Sequence, residues 1–275
     1  MMFRFFFLLL LLPALASAAP LRVISLSPHT TELAFEAGLG DNLIAVSAHS
    51  DYPPEALKLE QVANYRGINI ERVVTLKPDL VLAWKGGNPD KELAKLEKLG
   101  IKVFYSNPHS LYDAADNIEK LGAWSDNPAL AKARADAVRQ ELASIEASQQ
   151  GKSKVPYFYQ LSVTPMLTNN GEHWPQPLFS LCGGENIFAD STAPYPQVGM
   201  EQIVVRKPEA IFYPADSARP LESWQKWQAF IPAVKNNAIF AVTGDWLNRP
   251  TPRALKAVKQ ICAALDKVRN DPVHD

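Results

Sequence analysis

The chain has 275 residues and a formal net charge of −1 at pH 7, from 28 Lys and Arg residues against 29 Asp and Glu residues. This length allows one large domain or two domains of ordinary size. Because the sequence has no basic excess, it gives no electrostatic basis for binding nucleic acid, and we expect no nucleic-acid partner.

The chain begins with the pattern of a secretory signal peptide over residues 1–18. Arg4 precedes an apolar run of Phe and Leu residues, and Ala16, Ser17 and Ala18 fit the small-x-small pattern of a cleavage site. The apolar run is shorter than the roughly 20 residues of a membrane-spanning helix, although an uncleaved anchor is the alternative. The pattern predicts an exported, soluble protein that is cleaved near Ala18.

Strands and helices alternate through the first half of the chain. Runs of apolar residues predict strands at 22–26, 43–47, 79–84 and 101–105. Capping residues, glycines and prolines predict helices within 27–40, 70–77, 89–100 and 110–122. The segment 51–69 is rich in Pro, Gly and polar residues, so we expect a loop there. Alternation of this kind predicts parallel sheets with crossover helices.

A long helix is predicted from Pro128 to about Gln149. Asn127 precedes it, and apolar residues recur near helical spacing without a break until Gly151. Twenty-two residues at a rise of 1.5 Å each give a rod of roughly 33 Å, which is long enough to connect two lobes.

The second half repeats the alternation of strands and helices. Apolar runs predict strands at 155–161, 209–213 and 238–242. Helices are expected before Cys182, at 200–207 and at 252–268, the last with Cys262 facing the core. The segments 169–171 and 244–253 are expected to be loops.

A twelve-residue pattern occurs in both halves of the chain. Its copies are ERVVTLKPDLVL, from Glu71 to Leu82, and EQIVVRKPEAIF, from Glu201 to Phe212. A shorter pair occurs in the same order, GDNLIAVS from Gly40 and GENIFADS from Gly184. An internal repeat of this kind indicates duplicated supersecondary units.

The repeat and the long helix together predict an α/β protein of two similar Rossmann-like lobes. We expect an N-terminal lobe at 19–127, a linking helix at 128–150 and a C-terminal lobe at 151–275. A ligand cleft is expected between the lobes.

The two cysteines, Cys182 and Cys262, favour a disulfide because an exported chain has an even number of them. Two separate buried thiols are the alternative. Neither cysteine belongs to a C-x-x-C pair, so zinc-binding and redox roles have little support. The bridge would close a loop of about 80 residues, worth roughly 4 kcal/mol in the chain-entropy model.

Several motifs resemble one family of exported proteins. They are ISLSPHTTELAFEAG, SDYPPEA, KPDLVLAWKGGN, CGGENIF, YPQV and GDWLNR, which span nearly the whole chain after the signal peptide. They resemble the solute-binding proteins of ABC importers for cobalamin, iron-siderophores and haem, and most closely the cobalamin-binding members. The resemblance implies a periplasmic, monomeric carrier that captures cobalamin as a transported ligand and delivers it to the importer.

Aromatic residues in the predicted loops form the candidate ligand site. Trp84 follows a buried strand at its carboxyl end, which is where open α/β sheets bind ligands. The resemblance adds Tyr65 and Tyr195, which stand where the family has tryptophans, and Trp246. Ordinary loop packing is the alternative for each of these four residues.

Polar residues complete the candidate site. His49 replaces a tyrosine of the family pattern, and it is expected to contact the ligand as a flat polar side chain; a cobalt ligand is the alternative. The remaining histidines, His29, His109 and His173, have no ligand spacing and are interpreted as surface or loop residues. No metal site is predicted.

The resemblance also assigns ligand contacts to the last loop, Asp245, Leu247, Asn248 and Arg249. Asp accepts hydrogen bonds from amides, and Arg donates to amide carbonyls or phosphate. The family has an acid where this chain has Asn248. The alternative is an ion pair between Asp245 and Arg249 that only shapes the loop.

In the resembled proteins, acids at the positions of Glu71 and Glu201 dock onto the two transmembrane subunits of the importer. The alternative is that each acid only interacts with the dipole of its own helix.

Two other functions stay open. A siderophore or haem carrier would need converging cations, and the candidate loops offer Arg66, Lys85, Arg249 and Arg253 mixed with aromatic residues. An exported enzyme or sensor domain is the second. The sequence has no G-x-S-x-G, P-loop, H-E-x-x-H or G-x-G-x-x-G motif, so we expect no enzyme.

Overall fold

The computed structural model describes residues 19–216 and 221–270, so the predicted signal peptide lies outside the described residues. The strands are β1 (Val23–Ser25), β2 (Leu43–Ser47), β3 (Glu60–Asn64), β4 (Gly67–Ile68), β5 (Leu80–Trp84), β6 (Lys102–Ser106), β7 (Val155–Tyr159), β8 (Ser162–Val163), β9 (Met166–Leu167), β10 (Gly184–Asn186), β11 (Ala210–Pro214) and β12 (Ile239–Val242). The helices are α1 (Pro28–Glu36), α2 (Ile70–Thr75), α3 (Asp90–Lys98), α4 (Leu111–Gly122), α5 (Pro128–Gln149), α6 (Gln176–Leu181), α7 (Met200–Arg206), α8 (Leu221–Gln225), α9 (Pro232–Lys235), α10 (Gly244–Asn248) and α11 (Ala254–Asn270).

The strands form two main sheets, one in each half of the chain. The first sheet has six strands in the order β4-β3-β2-β1-β5-β6, and all neighbours are parallel except β3 and β4. The second has four parallel strands in the order β10-β7-β11-β12. A separate antiparallel hairpin joins β8 and β9. The predicted α/β fold of two lobes linked by a long helix is therefore confirmed.

The two sheets repeat one arrangement of strands. The order β2-β1-β5-β6 corresponds to β10-β7-β11-β12, and the repeated helix precedes β5 as α2 and β11 as α7. After each helix comes a lysine with left-handed φ, 47° at Lys77 and 45° at Lys207. Such values are uncommon outside glycine, so their recurrence supports a common local structure. The shorter repeat is less regular, because GDN forms a 3-10 helix before β2 whereas GEN itself forms β10.

The linking helix α5 has the predicted bounds. Asn127 caps it, since its Oδ1 accepts a hydrogen bond from the backbone N of Leu130 at 3.1 Å. The buried face of α5 consists of Ala131, Ala135, Val138 and Leu142. These residues belong to one hydrophobic cluster that continues from the first sheet to α11. One face of the helix is therefore packed against the rest of the protein. No helix in the described part of the chain is long and apolar enough to cross a membrane.

Small residues allow α4 and α5 to approach closely. A Cβ placed on Gly122 would lie 2.3 Å from the Ala131 Cβ, which is far inside van der Waals contact. The start of α4 is fixed by a capping box between Ser110 and Asp113. The close approach at Gly122 and Ala131 packs the linking helix against α4 of the first lobe.

Two segments predicted to be loops contain regular structure. Segment 51–69 contains a 3-10 helix (Pro54–Lys58), β3 and β4. In β3, Val62 and Ala63 are buried while Glu60 and Gln61 are exposed, so this strand near the sheet edge lacks a continuous apolar run. The second segment, 244–253, begins with α10 instead of a loop.

The predicted disulfide is confirmed. Cys182 follows α6, Cys262 lies in α11, and the two form a disulfide that joins these helices. Both cysteines are buried and belong to the main hydrophobic cluster. The bridge lies within the second lobe, as the positions of the cysteines in the sequence indicate.

Candidate ligand-binding cleft

A cavity of about 200 Å³ lies between the two lobes. Its first-lobe wall is Trp84, at the end of β5, and Pro108, beyond the end of β6. Its second-lobe wall consists of Leu161, Trp174, Pro175, Tyr195, Asn248 and Pro250. The cavity therefore lies beyond the carboxyl ends of parallel strands from both sheets, the usual place for ligands in open α/β folds.

Three of the residues predicted from the sequence meet in this cavity: Trp84, Tyr195 and Asn248. The Trp84 side chain is exposed in part, and the Tyr195 hydroxyl donates a hydrogen bond to the Trp174 carbonyl at 3.3 Å. Burial raises the pKa of Tyr195, so its phenol stays neutral and can donate or accept hydrogen bonds. Asn248 Oδ1 accepts a bond from the Tyr159 hydroxyl at 3.0 Å.

Trp174 was not identified from the sequence. Its Nε1 donates to the Leu247 carbonyl at 2.8 Å, which ties the Trp174 loop to α10. The signal that could have found it is an aromatic residue beside a Pro, Gly and Asn-rich loop. Trp174 has no counterpart in the quoted motifs, so the resemblance did not point to it.

His29 is buried, so its interpretation as a surface or loop residue is wrong. It lies in α1 at 3% exposure, and its ring nitrogens lie 3.1 Å from Ser27 Oγ and from Ser106 Oγ. The edge of its ring meets Trp84, with centroids 5.5 Å apart and planes at 86°. Burial lowers the pKa of His29 from 6.5 to about 3, so the ring is neutral at physiological pH.

A network of ion pairs joins the lobes beside the cavity. Arg249 donates to Asp51 at 2.6 and 3.2 Å and to Glu32 at 3.2 Å, while Arg253 donates to Glu32 at 2.8 and 2.5 Å. Glu32 is almost completely buried, whereas Asp51 is half-exposed. The Arg249 hydrogen bond holds the pKa of Asp51 below its ordinary value, so this carboxyl is charged at neutral pH. Arg249 also pairs with Asp245 at 2.9 Å.

The Asp245–Arg249 pair that the sequence offered as an alternative is therefore present. Arg249 also pairs with Glu32 and Asp51 of the first lobe, so its role is not limited to shaping its own loop. Glu32 and Asp51 were missed because their partners are about 200 positions away in sequence, at separations of 217 and 198. Sequence patterns over a few neighbouring residues carry no information about contacts between residues this far apart in the chain.

The other predicted site residues do not line this cavity. His49 is exposed with a left-handed φ of 62°, and Tyr65 is 87% exposed at the tip of the β3–β4 hairpin, where its hydroxyl accepts from Arg66. Trp246 packs against the main hydrophobic cluster, and the Lys256 Nζ lies 5.1 Å from its ring centroid. The Leu247 side chain is completely buried, and its backbone carbonyl accepts the hydrogen bond from Trp174.

A larger groove of about 890 Å³ runs beside α5. It is lined by the starts of α4 and α6 and by the α5 residues Leu142 and Glu146. It contains none of the residues that the sequence singled out for ligand binding. We therefore regard the smaller cavity, where aromatic side chains of both lobes converge, as the candidate ligand site.

Glu71 and Glu201 occupy equivalent, exposed positions. Each lies in the first turn of a short helix, α2 or α7, in the repeated segment. Neither forms an ion pair with a residue that the structure describes. Within residues 19–216 and 221–270, no three His, Cys, Asp or Glu side chains are grouped as they would be around a metal ion.

Comparison with known proteins identifies the family. The family model for periplasmic binding proteins matches residues 23–245, most of the chain. This chain belongs to the periplasmic binding protein family. Membership of this family implies a periplasmic location and a solute-binding role.

Relatives within the family are similar over nearly their whole length. The vitamin B12-binding protein of Vibrio vulnificus strain YJ016 is 51% identical over 256 residues, which cover 93% of this chain and 94% of that protein. The crystal structure of the periplasmic vitamin B12 binding protein BtuF of Vibrio cholerae has a TM-score of 0.87 and 49% identity, covering 91% of this chain and 98% of that one. The periplasmic haem-binding protein HutB of Vibrio cholerae, at 21% identity and a TM-score of 0.76 over 90% of this chain and 99% of that one, shows a shared fold alone.

Proposed function

We propose that this chain captures cobalamin, vitamin B12, between its lobes and delivers it to an ABC importer in the inner membrane. The observation that carries the proposal is the 51% identity, over 93% of the chain, to the Vibrio vulnificus vitamin B12-binding protein. Cobalamin is then a transported ligand and not a cofactor. The proposed domains are the lobe at 19–127, the helix at 128–150 and the lobe at 151–275. The protein is a monomer that is exported to the periplasm and loses its signal peptide by cleavage near Ala18.

The chemistry of the cleft supports a large, flat ligand edged with amides. Trp84 and Tyr195 offer aromatic surfaces from opposite lobes, and Asn248 and Arg249 offer polar contacts beside them. Aromatic rings pack well against flat ligands, and a few polar groups fix their orientation. The proposed site is completed by residues on the surrounding loops and on α10, namely His49, Tyr65, Asp245, Trp246 and Leu247.

The cavity must enlarge to admit such a ligand. Its volume of about 200 Å³ is smaller than the 300 to 1,000 Å³ typical of sites for drug-sized ligands, and a corrinoid is larger than these. The Arg249–Asp51 pair crosses between the lobes at this point. We propose that ligand entry separates this pair, so that the Arg249 guanidinium can donate hydrogen bonds to the ligand instead.

Calorimetric titration tests the proposed ligand. We expect tight binding of cobalamin and weak or no binding of haem or a ferric siderophore. Trp84→Ala should weaken cobalamin binding by about 2 kcal/mol, or roughly thirtyfold, as for a buried aromatic hot spot. Phe230→Ala, which removes an exposed aromatic residue outside the cavity, is the matched control and should bind as the wild type does.

The titration also decides between the alternatives. Tight binding of haem or a ferric siderophore without cobalamin binding would establish a different cargo on the same fold. Cobalamin binding that is unaffected by Trp84→Ala would mean that the ligand site lies elsewhere. Comparing the Kd of cobalamin with that of cobinamide, which lacks the lower nucleotide, shows whether the site contacts that part of the ligand.

We further propose that Glu71 and Glu201 dock onto the two transmembrane subunits of the importer. Their exposure and their equivalent places in the repeat support this role, because a bilobed protein can present one acid to each subunit. Exposed charges of this kind mainly set orientation and association rate, and salt screens them.

Binding to the reconstituted importer at low and high salt tests the docking role. Glu71→Ala and Glu201→Ala should leave cobalamin affinity unchanged and should weaken docking at low salt, with the double variant weakest. Glu97→Ala and Glu185→Ala, which remove exposed acids from each half of the chain, are the matched controls. Normal docking by the double variant would show that the two acids only interact with their own helix dipoles.

A further inference from the structure

The Trp84 ring lies directly over the backbone of Gly87. A Cβ placed on Gly87 would lie 2.0, 2.2 and 2.6 Å from Cε3, Cδ2 and Cζ3 of the Trp84 ring. Side chains do not approach this closely, so the ring could not lie where it does beside any other residue at this position. Gly87 is needed here for space and not for backbone freedom, since its φ is outside the left-handed region that its neighbour Gly86 occupies at 85°.

The turn that carries Gly87 is itself fixed. Asn88 Oδ1 accepts a hydrogen bond from the Trp84 backbone N at 2.7 Å. Asn88 Nδ2 donates to the Leu26 carbonyl at 2.9 Å, which ties the turn to the segment after β1. The backbone surface under the Trp84 ring therefore has a defined position in the first lobe.

His29 supports the same ring through an edge-to-face contact. The two rings are almost perpendicular, at 86°, with centroids 5.5 Å apart. This is a favoured arrangement for aromatic pairs. Hydrogen-bonding contacts to Ser27 and Ser106 hold the imidazole, and Ser106 Oγ in turn accepts from Asn117 Nδ2 at 3.0 Å. The support is thus a rigid, buried group and not a mobile side chain.

We infer that Gly87 and His29 are positioning residues that hold the Trp84 indole in one orientation before any ligand binds. Trp84 as a whole remains 40% exposed, and it lines the cavity. A side chain that is already ordered loses less freedom on binding, and this favours affinity. The effect on affinity rests on the proposed cobalamin-binding function, whereas the orientation of the ring in the free protein does not.

The orientation can be measured without ligand. The six tryptophans are labelled with 5-fluorotryptophan, and the Trp84 resonance in the ¹⁹F NMR spectrum is assigned by its loss in Trp84→Phe. We expect one sharp Trp84 resonance in the wild type. It should shift or broaden in Gly87→Ala and in His29→Ala, while the resonances of the remote Trp224 and Trp227 stay in place as evidence of an intact fold.

Gly86→Ala is the matched control for Gly87→Ala. A Cβ on Gly86 meets no atom within 4 Å, so this variant strains the turn without touching the ring, and the Trp84 resonance should stay sharp. His29→Phe keeps an aromatic edge beside the indole, and it should restore most of the wild-type signal. Gly87 is exposed, so its variant keeps the test decisive even if His29→Ala fails to fold.

Affinity provides a second test through a double-mutant cycle. Gly87→Ala and His29→Ala should each raise the cobalamin Kd by about 3- to 10-fold, the range for ordering one large side chain. In a Trp84→Ala background, His29→Ala should change the Kd by less than about twofold, because the ring it positions is absent. An unchanged Trp84 resonance in both variants would overturn the inference, as would an equal effect of His29→Ala in the Trp84→Ala background. If the wild type does not bind cobalamin, the proposed function fails, and the ¹⁹F spectra of the free protein still decide the positioning role.

Discussion

At the scale of single residues, a site residue could be predicted where its own type and its place in the sequence indicate its role. Trp84 could be found because it follows a buried strand at its carboxyl end, and Tyr195 because it lies in a motif of the resembled family; both line the cavity. The roles of Glu32 and His29 could not be found in this way. Each depends on partners from distant parts of the chain, and a buried acid or histidine looks like a surface residue in a helix until the fold brings those partners to it.

His29 should make the stability of the protein depend on pH. Its folded pKa of about 3 lies below the ordinary value of 6.5, so the unfolded chain binds one more proton between these values. Stability therefore falls as the pH decreases through this window, by up to about 1.4 kcal/mol per pH unit. We expect His29→Asn to remove this contribution.

The measurement is denaturant unfolding of both proteins at about pH 6.5 and about pH 4.5. The wild type should lose about 2 kcal/mol more than His29→Asn on acidification. Equal losses in the two proteins would show that His29 is not held neutral in the folded state.

At the scale of helices and strands, predictions succeeded where a pattern is strong and local. The bounds of α5 follow from Asn127-Pro128 and an unbroken helical period, and β5 follows from a continuous apolar run. The strand β3 and the helix α10 were missed for opposite reasons. The strand β3 has exposed polar residues at both of its ends, so it lacks a continuous apolar run. The helix α10 is a single short turn whose Gly and Asn residues are typical of loops.

The disulfide should stabilise the second lobe without affecting the cleft. It joins α6 to α11 across a sequence separation of 80, and neither cysteine lines the cavity. Replacing both cysteines by serine should lower the free energy of unfolding by about 2–5 kcal/mol and leave cobalamin affinity unchanged.

Unfolding with and without reductant checks this expectation. Reductant should destabilise the wild type and leave the double-serine variant unaffected, which makes that variant the control. Two thiols that react with an alkylating agent in the unreduced, exported protein would contradict the bridge.

At the scale of the whole molecule, the internal repeat predicted two similar lobes, and matching strand orders bear this out. The sequence did not predict how the lobes are held together. Two acids and two arginines join them beside the cavity, with Glu32 buried, Arg253 mostly buried and Asp51 half-exposed. Burial makes the Glu32–Arg253 pair costly to break. In the Asp51–Arg249 pair the acid is half-exposed to water, so this pair is easier to separate. Ligand entry is therefore expected to separate the Asp51 pair first.

Asp51→Asn should speed the entry of cobalamin. It weakens the exposed interlobe pair and frees Arg249, so the association rate should rise by up to about fivefold, the equivalent of roughly 1 kcal/mol. Stopped-flow quenching of tryptophan fluorescence measures this rate. Asp41→Asn, which changes an exposed acid of the same lobe, is the control, and an unchanged or slower rate in Asp51→Asn would show that the pair does not limit entry.

The position of bound cobalamin is the most direct test of a ligand cleft between the lobes. A crystal structure of the protein with cobalamin should show the corrin between Trp84 and Tyr195, with Arg249 turned from Asp51 to the ligand. A corrin bound in the larger groove beside α5, with the Arg249–Asp51 pair intact, would contradict it.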